Sequence, residues 1–253
     1  KTLGLVKDIA VGVCGDAGAA ADAILSRISS ETLACDANKE ERSAQIKNEK
    51  AAWEQELNEW IHEKDPFSLE AIKAADGRYM HPRQALRALE KAMPADAMVS
   101  TDIGNINSVA NSYLRFSQPR SFFAAMSFGN CGYAFPTIIG AKVAAPERPA
   151  VAYVGDGAWG MSLMETMTCV RENIPVTAVV FNNGQWGAEK KNQVDFYDRR
   201  FVGGELENQS FAGIARAMGA NGITVSDVGD VGPALETALA AQQKDGATTI
   251  VEV

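Results

Sequence analysis

The chain has 253 residues, of which 46% are hydrophobic and 22% charged, with a net charge of −8 and a pI near 4.9. This length allows one large domain or two smaller ones. The negative charge argues against nucleic-acid binding, which requires basic patches. The sequence contains no run of 18 or more apolar residues, which is the length needed to span a membrane, and no signal peptide is recognisable. Because the chain lacks an initiator Met, we expect it to begin inside a longer, cytoplasmic protein.

The four cysteines, Cys14, Cys35, Cys131 and Cys169, are far apart and form no Cys-x-x-Cys pair. This spacing argues against zinc or a disulfide framework and favours a reducing compartment. Cys14 and Cys169 each lie within an apolar run, so we interpret both as small buried core residues.

The first part of the chain predicts the end of one domain and a linker. We expect a short strand at Val11–Gly15 and a helix at Ala17–Ile28, which together would close a preceding domain over residues 1–33. The polar stretch that follows predicts a solvated helix lying over a neighbouring surface, within a helical linker over residues 34–76. The apolar face of that helix consists of residues at helical spacing: Ile46, Trp53, Leu57, Trp60 and Ile61.

From residue 77 onward, predicted helices and strands alternate. Strands are expected at Met98–Thr101, Ser121–Ala124, Ala150–Val154, Val176–Phe181, Gly222–Val225 and Thr248–Val253. Helices are expected over residues 82–93, 105–116, 132–145, 161–172, 185–193, 210–218 and 231–243. Such alternation predicts an α/β fold, a doubly wound and mainly parallel sheet with helices on both faces, in one domain over residues 77–253. Because the chain stops inside its last predicted strand, we expect its C terminus to be truncated as well.

One pair of short motifs stands out, Gly155-Asp156-Gly157 and, after 24 intervening residues, Asn182-Asn183. Each motif directly follows a predicted strand, and a predicted helix lies between them. The carboxyl ends of parallel strands meet at the same edge of a sheet, so both motifs should lie on that edge. Either motif alone is typical of ordinary turns, but the pair at this spacing predicts a shared site.

The residue types in this pair suit a magnesium ion. Mg²⁺ takes an octahedron of oxygen ligands, few of them from protein, and completes its shell with water and phosphate. We expect Asp156 and Asn183 to bind the ion through their side chains, and Gln185 to bind it through its backbone carbonyl. The alternatives are a turn aspartate satisfied by its own backbone for Asp156 and a turn residue in left-handed geometry for Asn183.

Other residues of the same motif suit a diphosphate. Gly155 and Gly157 would let the backbone approach a phosphate closely. The backbone N–H groups of Ala158 and Trp159 could then donate to it. The rings of Trp159 and Trp186, by contrast, are expected to pack in the interior.

Two further loops belong to the same predicted edge. Residues 102–107 follow the strand Met98–Thr101, and their glycine, Asn side chains and helix start predict a second phosphate contact. Ordinary Asp and Asn helix caps would give the same pattern. Residues 127–136 carry glycines around an apolar residue, which could press against a cofactor ring, although a glycine-rich helix start is the alternative.

The paired motif resembles the thiamine diphosphate (ThDP) binding motif. The chain from about residue 78 to residue 253 resembles the diphosphate-binding domain of ThDP enzymes of the acetolactate synthase and pyruvate oxidase group. Residues 1–30 resemble the end of that group's middle domain. The resemblance implies that Asp156, Asn183 and the carbonyl of Gln185 bind Mg²⁺.

The same resemblance assigns roles in the two further loops. It implies that Gly104, Asn105 and Ile106 contact the diphosphate. Cys131 stands where the group usually has a larger apolar residue that props the cofactor in its bent form. A cysteine is soft and apolar enough for that contact, although it departs from the pattern.

The resemblance also implies that part of the active site lies elsewhere. In this group a glutamate of an N-terminal pyrimidine-binding domain activates the cofactor, and the active site is shared between two subunits. Neither that domain nor its glutamate is found in these 253 residues. We therefore expect half a site, no turnover by the chain alone, and a parent enzyme that assembles through the pyrimidine-binding domain as a homodimer or homotetramer.

Within the group, three longer strings that begin at Ser100, Met126 and Gln185 resemble the sulfoacetaldehyde acetyltransferase subgroup. This resemblance implies a reaction in which sulfoacetaldehyde and phosphate give acetyl phosphate and sulfite. Because both substrates are anions, we expect a pocket rich in cations or N–H groups. A solvated helix face is the simpler interpretation for two of the candidates, the lysines. The candidates are Lys190, Lys191, Arg120 and His81.

Three other functions stay open. One is a related ThDP enzyme, an acetolactate synthase or a 2-oxoacid decarboxylase. Another is a non-catalytic domain that only binds the cofactor or builds an oligomer. The third is a nicotinamide-dependent dehydrogenase, which the fold class would fit. Against the third, no Gly-x-Gly-x-x-Gly opens the first helix of the alternating region.

Overall fold

The computed structural model describes residues 9–28, 38–60 and 80–253. The chain divides into two units, residues 1–58 and 59–253. Cys35 and Ile61, and with them residues 34–37 and 61–76 of the predicted linker, lie outside the described residues. Within the described ranges, no helix combines the length and the apolar character needed to cross a membrane.

The first unit contains helix α1 (Ala17–Leu25) and most of helix α2 (Lys39–Trp60), both of which the sequence predicts. Asp16 caps α1, because its carboxylate accepts a 2.8 Å hydrogen bond from the Ala19 N–H. The predicted strand at Val11–Gly15 is wrong, since these residues are exposed and have no strand conformation. A strand needs a neighbour to pair its backbone groups, and an apolar composition does not supply one.

Burial in the first unit is low. On the predicted apolar face of α2, Leu57 is buried, but Ile46 and Trp53 are 45% and 40% exposed. Cys14 is exposed as well, so its predicted burial is wrong, for the same reason as the predicted strand. Cys169, in the second unit, is 1% exposed, as predicted.

The second unit alternates helices and strands, as predicted. Its strands are β1 (Met98–Thr101), β2 (Phe122–Ala124), β3 (Ala150–Gly155), β4 (Thr177–Phe181), β5 (Asn221–Thr224) and β6 (Thr249–Glu252). Its helices are α3 (Pro82–Ala92), α4 (Asn105–Tyr113), α5 (Ala134–Ala144), α6 (Asp156–Gly160), α7 (Glu165–Glu172), α8 (Gly187–Phe196), α9 (Phe211–Ala217) and α10 (Val228–Lys244). One difference matters for the site: the helix expected over residues 161–172 begins only at Glu165, and a separate short helix, α6, precedes it from Asp156.

The strands form one six-stranded sheet in the order β2-β1-β3-β4-β6-β5, and every neighbouring pair is parallel. The predicted fold class is therefore confirmed. Parallel strands are covered by helices on both faces, which explains why the central strands β3 and β4 are almost continuously apolar. All residues from Ala150 to Val154 are at most 1% exposed.

Alternate strand residues serve the two faces of the sheet. On one face Ala150, Ala152 and Val180 pack in a core with the helix residues Phe135 and Phe211. On the other face α10 packs against β4 and β6, and α4 packs against β1 and β3. Strand residues directed to this second face are equally buried: Val99, Val151, Tyr153, Val179 and Val251.

The strand order creates a crevice at one point of the sheet. From β1 the chain moves outward to β2, and from β2 it crosses back to β3 on the other side of β1. The connections after β1 and β3 thus diverge, and open α/β sheets bind ligands at the carboxyl ends of the strands at such a switch point. A ligand is therefore expected at the loops that follow β1, β3 and β4.

Two glycines allow a paired test of the packing. A Cβ on Gly222 of β5 would lie 2.0 Å from the Ala212 carbonyl oxygen, whereas a Cβ on Gly140 of α5 would meet nothing within 4 Å. We expect Gly222→Ala to lower the free energy of unfolding by about 3 kcal/mol, because backbone must move. Gly140→Ala should raise it by about 0.5–1 kcal/mol, since alanine favours the helix. Urea unfolding measures both, and equal effects would contradict the close approach of α9 to β5.

Candidate functional site

The carboxyl ends of β1, β3 and β4 bring three segments to one rim of the sheet. These segments are residues 102–107, 155–159 and 182–187, and they contain most of the residues singled out from the sequence. The adjoining loop that carries Cys131 leads into α5 and reaches the same rim through hydrogen bonds to the residue after β1.

Asp156 joins the two halves of the paired motif. Its side chain is buried, at 3% exposure. Its Oδ2 atom accepts hydrogen bonds from the N–H groups of Gly184 and Gln185, at 2.8 and 3.2 Å, and from Asn208 Nδ2 at 2.7 Å. Its Oδ1 atom accepts one, from the Gly157 N–H at 2.9 Å. The two loops therefore meet, and one carboxylate oxygen keeps an unused lone pair.

Burial raises the pKa of the Asp156 carboxyl above its ordinary value, while the N–H groups of Gly157, Gly184 and Gln185 and the amide of Asn208 act in the opposite direction. The charged form is thus only partly compensated by the protein. A divalent cation at the available oxygen would favour that charged form.

Asn183 and Gln185 lie beside Asp156. Asn183 is exposed, and its Oδ1 accepts a 3.3 Å hydrogen bond from the Gln185 N–H. Residues 184–186 pair antiparallel with residues 204–206 through two bonds of 2.7 and 2.8 Å, which involve the backbone groups of residues 184 and 186. The N–H and carbonyl of Gln185 consequently point away from that pairing. They face the side on which Asp156 lies.

The tryptophans have different surroundings. The Trp159 ring is 2% exposed and packs edge-on against Phe135, with ring centroids 4.8 Å apart, so the predicted interior position is confirmed. Trp186 is only partly buried, and its ring lies over Gly157. A Cβ on Gly157 would come within 2.8 Å of that ring. The glycine therefore allows the loop after β4 to close over the loop after β3.

The loop after β1 reaches the same place. Gly104, with φ of 104°, caps α4, and Asn105 is the first residue of that helix. Asn105 Nδ2 and Asn183 Nδ2 lie 3.2 and 3.5 Å from the position that a Cβ on Gly187 would take. Ile106 is partly buried in the first turn of α4. The loops that follow β1 and β4 thus meet around Asn105, Asn183 and Gly187.

Asp102 ties the Cys131 loop to the sheet. This fully buried carboxylate accepts hydrogen bonds from the Gly132 N–H at 3.1 Å and the Ala134 N–H at 2.9 Å. Burial raises the pKa of the Asp102 carboxyl despite these bonds. Cys131 is partly buried, and burial, together with the charges of Asp102 and Glu189, raises the pKa of its thiol. The Cys131 thiol is accordingly kept neutral.

Sequence reasoning missed a polar network behind the rim. Asn208 bonds both Asp156 and Asn182, and Asn182 bonds the buried carboxylate of Glu252. Asn208 lies in a segment without periodicity, so the sequence carries no signal for it. Glu252 could have been found, because a carboxylate inside an otherwise apolar strand requires partners.

The candidate anion-binding residues have identifiable partners within the protein. Lys190 pairs with Glu205, and its Nζ lies 5.2 Å from the centre of the Phe201 ring. Lys191 pairs with Asp195 at 2.7 Å on the exposed face of α8, which agrees with a solvated helix face. His81 caps α3 through a 3.2 Å bond from the Arg83 N–H.

Arg120 is wrong as a candidate for this rim. It directly precedes β2 and therefore lies at the amino edge of the sheet. Its carbonyl accepts a 3.3 Å hydrogen bond from Arg148, which precedes β3 at the same edge. Arg120 is a candidate for its charge alone, although the predicted strand at Ser121–Ala124 already implies this edge.

The rim offers a mixed set of oxygen donors. Among the described residues, no group of three or more His, Cys, Asp or Glu side chains could hold a metal ion. The candidate oxygen donors are one carboxylate, Asp156, one amide, Asn183, and one backbone carbonyl, that of Gln185.

Comparison with protein families identifies the second unit. A family model described as thiamine pyrophosphate enzyme, C-terminal TPP binding domain, matches residues 102–253. Thiamine pyrophosphate (TPP) is another name for ThDP. The match confirms the predicted family and its cofactor.

Curated relatives point in the same direction. The chain is 71% identical to sulfoacetaldehyde acetyltransferase of Castellaniella defragrans, with all of this chain and 43% of that protein covered. It is 66% identical to the protein of the same name from Alcaligenes xylosoxydans xylosoxydans, over 99% of this chain and 43% of that protein. The acetolactate synthase large subunit of Parasynechococcus marenigrum is 33% identical over 70% of this chain and 28% of its own length. The chain thus spans less than half the length of these relatives.

Two solved structures share the fold. The benzoylformate decarboxylase from Polynucleobacter necessarius has a TM-score of 0.60 and 24% identity, covering 67% of this chain and 32% of its own. The thiamine diphosphate-dependent 4-hydroxybenzoylformate decarboxylase of Rhodococcus jostii has a TM-score of 0.62 and 25% identity, covering 67% and 31%. By its family match and its parallel sheet, the chain belongs to the thiamine pyrophosphate enzymes, and residues 102–253 are their C-terminal TPP-binding domain.

Proposed function

We propose that this chain is the cofactor-binding part of a ThDP- and Mg²⁺-dependent sulfoacetaldehyde acetyltransferase. The observation that carries the proposal is the contact between the two motif halves, in which the Asp156 carboxylate accepts the N–H groups of Gly184 and Gln185. The subgroup follows from relatives of that name at 71% and 66% identity. Under this proposal residues 1–33 end a preceding domain, residues 34–76 form the linker and residues 77–253 form the diphosphate-binding domain.

The donor set fits Mg²⁺ rather than a softer metal. Asp156 Oδ1, Asn183 Oδ1 and the Gln185 carbonyl are all oxygen ligands, and one of them is charged. Mg²⁺ usually keeps several waters and takes further oxygens from phosphate, so three protein ligands suffice. No sulfur or imidazole is required, which distinguishes this set from a zinc site.

The diphosphate would lie where the three rim segments converge. Gly155 and Gly157 leave the backbone accessible, and the N–H groups of Ala158 and Trp159 are in the first turn of α6. Anionic oxygens are favoured near the N–H groups of a helix start. The turn formed by Gly104, Asn105 and Ile106 would bind from the side of β1.

Cys131 would contact the cofactor from its own loop, which Asp102 holds in place. A ThDP held there would supply the carbanion chemistry that acyl transfer from an aldehyde requires. The overall reaction is balanced, because sulfoacetaldehyde and hydrogen phosphate give acetyl phosphate and hydrogen sulfite. A cytoplasmic location and a homodimer or homotetramer, assembled through a pyrimidine-binding domain, complete the proposal.

The activity is tested with the full-length protein. With ThDP, Mg²⁺, phosphate and sulfoacetaldehyde, we expect sulfite release that depends on phosphate, measured by a colorimetric sulfite assay. Release of CO₂ from pyruvate without sulfite release would instead indicate an acetolactate synthase or a 2-oxoacid decarboxylase. Cofactor binding with neither product would indicate a non-catalytic binding domain.

The metal ligand is tested by Asp156→Ala in the full-length protein. We expect Mg²⁺-dependent ThDP affinity to fall more than about 100-fold, since even outer partners of metal ligands contribute about 10–100-fold. Calorimetry measures the affinity. Asp195→Ala is the matched control, because Asp195 is a surface carboxylate paired with Lys191. Equal affinities for the two variants would refute the site.

The anchor of the Cys131 loop is tested by Asp102→Asn. An asparagine has one acceptor oxygen, so its NH₂ group must face the N–H of Gly132 or Ala134. We expect the free energy of unfolding to fall by about 1–3 kcal/mol and ThDP binding to weaken. Asp227→Asn is the control, because Asp227 is an exposed helix cap that bonds the Gly229 N–H, and Asn caps helices equally well. Equal unfolding midpoints for both variants would contradict this role.

A further inference from the structure

Glu252, near the end of β6, is a buried carboxylate outside the proposed set of ligands. It is 7% exposed, and both of its oxygens are occupied. Oε1 accepts from Asn182 Nδ2 at 2.8 Å, and Oε2 accepts from Ser210 Oγ at 2.8 Å and from the Ala212 N–H at 3.0 Å. Burial alone would raise the pKa of Glu252, but these hydrogen bonds outweigh it and hold the pKa below its usual value. The side chain is thus an ionised acceptor.

The charge of Glu252 fixes the orientation of Asn182. A carboxylate only accepts, so Asn182 must present its NH₂ group to Glu252 and its oxygen to the other side. There Asn182 Oδ1 accepts from Asn208 Nδ2 at 2.8 Å. Asn208 Nδ2 gives its second hydrogen to Asp156 Oδ2 at 2.7 Å. The order of donors and acceptors is therefore set along the whole line from Glu252 to Asp156.

The last bond of this line affects the metal-binding oxygen. With Asn208 and two backbone N–H groups on Oδ2, that atom of Asp156 has three donors. Oδ1 has one, so it is the oxygen left for a cation. Hydrogen bonds to ligating groups from outside the ligand set commonly orient them.

We infer that Glu252 is a positioning residue for the metal site, which directs Asp156 Oδ1 toward the cation through Asn182 and Asn208. This inference rests on the proposed function, because it takes Asp156 as a ligand. Glu252, Asn182 and Asn208 would thus position Asp156 through their hydrogen bonds, without contacting the ion themselves.

Glu252→Gln tests the order of the line without changing its shape. The Ala212 N–H is a fixed backbone donor, so the new amide must turn its oxygen to Ala212 and its nitrogen to Asn182. Asn182 must then turn its oxygen to residue 252 and its nitrogen to Asn208. Asn208 would in turn present its oxygen to Asp156, where two acceptors repel each other.

The measurement is Mn²⁺ affinity in the presence of ThDP, from the free-ion electron paramagnetic resonance signal, with the full-length protein. We expect Glu252→Gln to weaken Mn²⁺ binding about tenfold. Adding Asn182→Asp should restore affinity to within about threefold. An aspartate accepts from both residue 252 and Asn208, so the bond to Asp156 reforms. Asn182→Asp alone should weaken binding, since it puts two carboxylates side by side.

Gln242→Met is the control for loss of a buried polar side chain. Gln242 is 4% exposed and bonds Ala150 and Thr177 at the opposite edge of the sheet. The Gln242→Met variant should have a lower unfolding midpoint and an unchanged Mn²⁺ affinity. If Glu252→Gln does not fold, Asn208→Ala tests the same line and should also weaken binding about tenfold.

The outcomes separate the two proposals. Unchanged Mn²⁺ affinity in Glu252→Gln, or in Asn208→Ala where that variant takes its place, overturns the inference. So does a weakened Glu252→Gln that Asn182→Asp fails to restore, because its effect would then be structural. If Asp156→Ala retains Mn²⁺ binding, the proposed function itself fails. If it loses binding while Glu252→Gln does not, only the positioning role is refuted.

Discussion

The organisation of this rim depends on the burial of carboxylates at the ends of parallel strands. An ionised group out of contact with water must be hydrogen-bonded, and in this sheet the available donors are backbone N–H groups of loops from distant parts of the sequence. Asp156 is the central case, since it accepts two N–H groups from the loop after β4. The hydrogen bonds that compensate its buried charge therefore also hold the two loops together.

A buried carboxylate that accepts backbone N–H groups occurs three times along the rim. Asp102, after β1, accepts the N–H groups of Gly132 and Ala134, and Glu252, in β6, accepts that of Ala212. Each carboxylate holds a different connection to the sheet. The pKa of Asp102 and of Asp156 is raised by burial, whereas that of Glu252 is lowered by its hydrogen bonds. The charge of Glu252 is thus fully compensated by its hydrogen bonds, whereas the charges of Asp102 and Asp156 are compensated only in part.

Fold and chemistry carry different kinds of information here. The fold is shared with two decarboxylase structures of 24% and 25% identity, whereas the assignment to TPP-binding domains comes from the family match. The proposed substrate class rests on similar proteins and longer sequence strings instead. Among the cationic residues considered for anion binding, Lys190 and Lys191 pair with acidic neighbours, and Arg120 lies at the other edge. The geometry of the described rim thus supports cofactor binding more directly than it supports a choice of substrate.

The sequence by itself determined the parallel α/β sheet, the strands that precede the paired motif, and the pairing of Asp156 with the Asn182-Asn183 loop. These follow from local periodicity and from the rule that parallel strands end at one edge. It could not place Val11–Gly15 or Cys14, because burial requires a packed partner and not only apolar residues. Only the tertiary structure decided that Trp186 covers Gly157, that Asp102 anchors the Cys131 loop, and that Asn208 joins Glu252 to Asp156. Those contacts join residues far apart in the chain, and the donor and acceptor order that fixes them exists only once the loops have met.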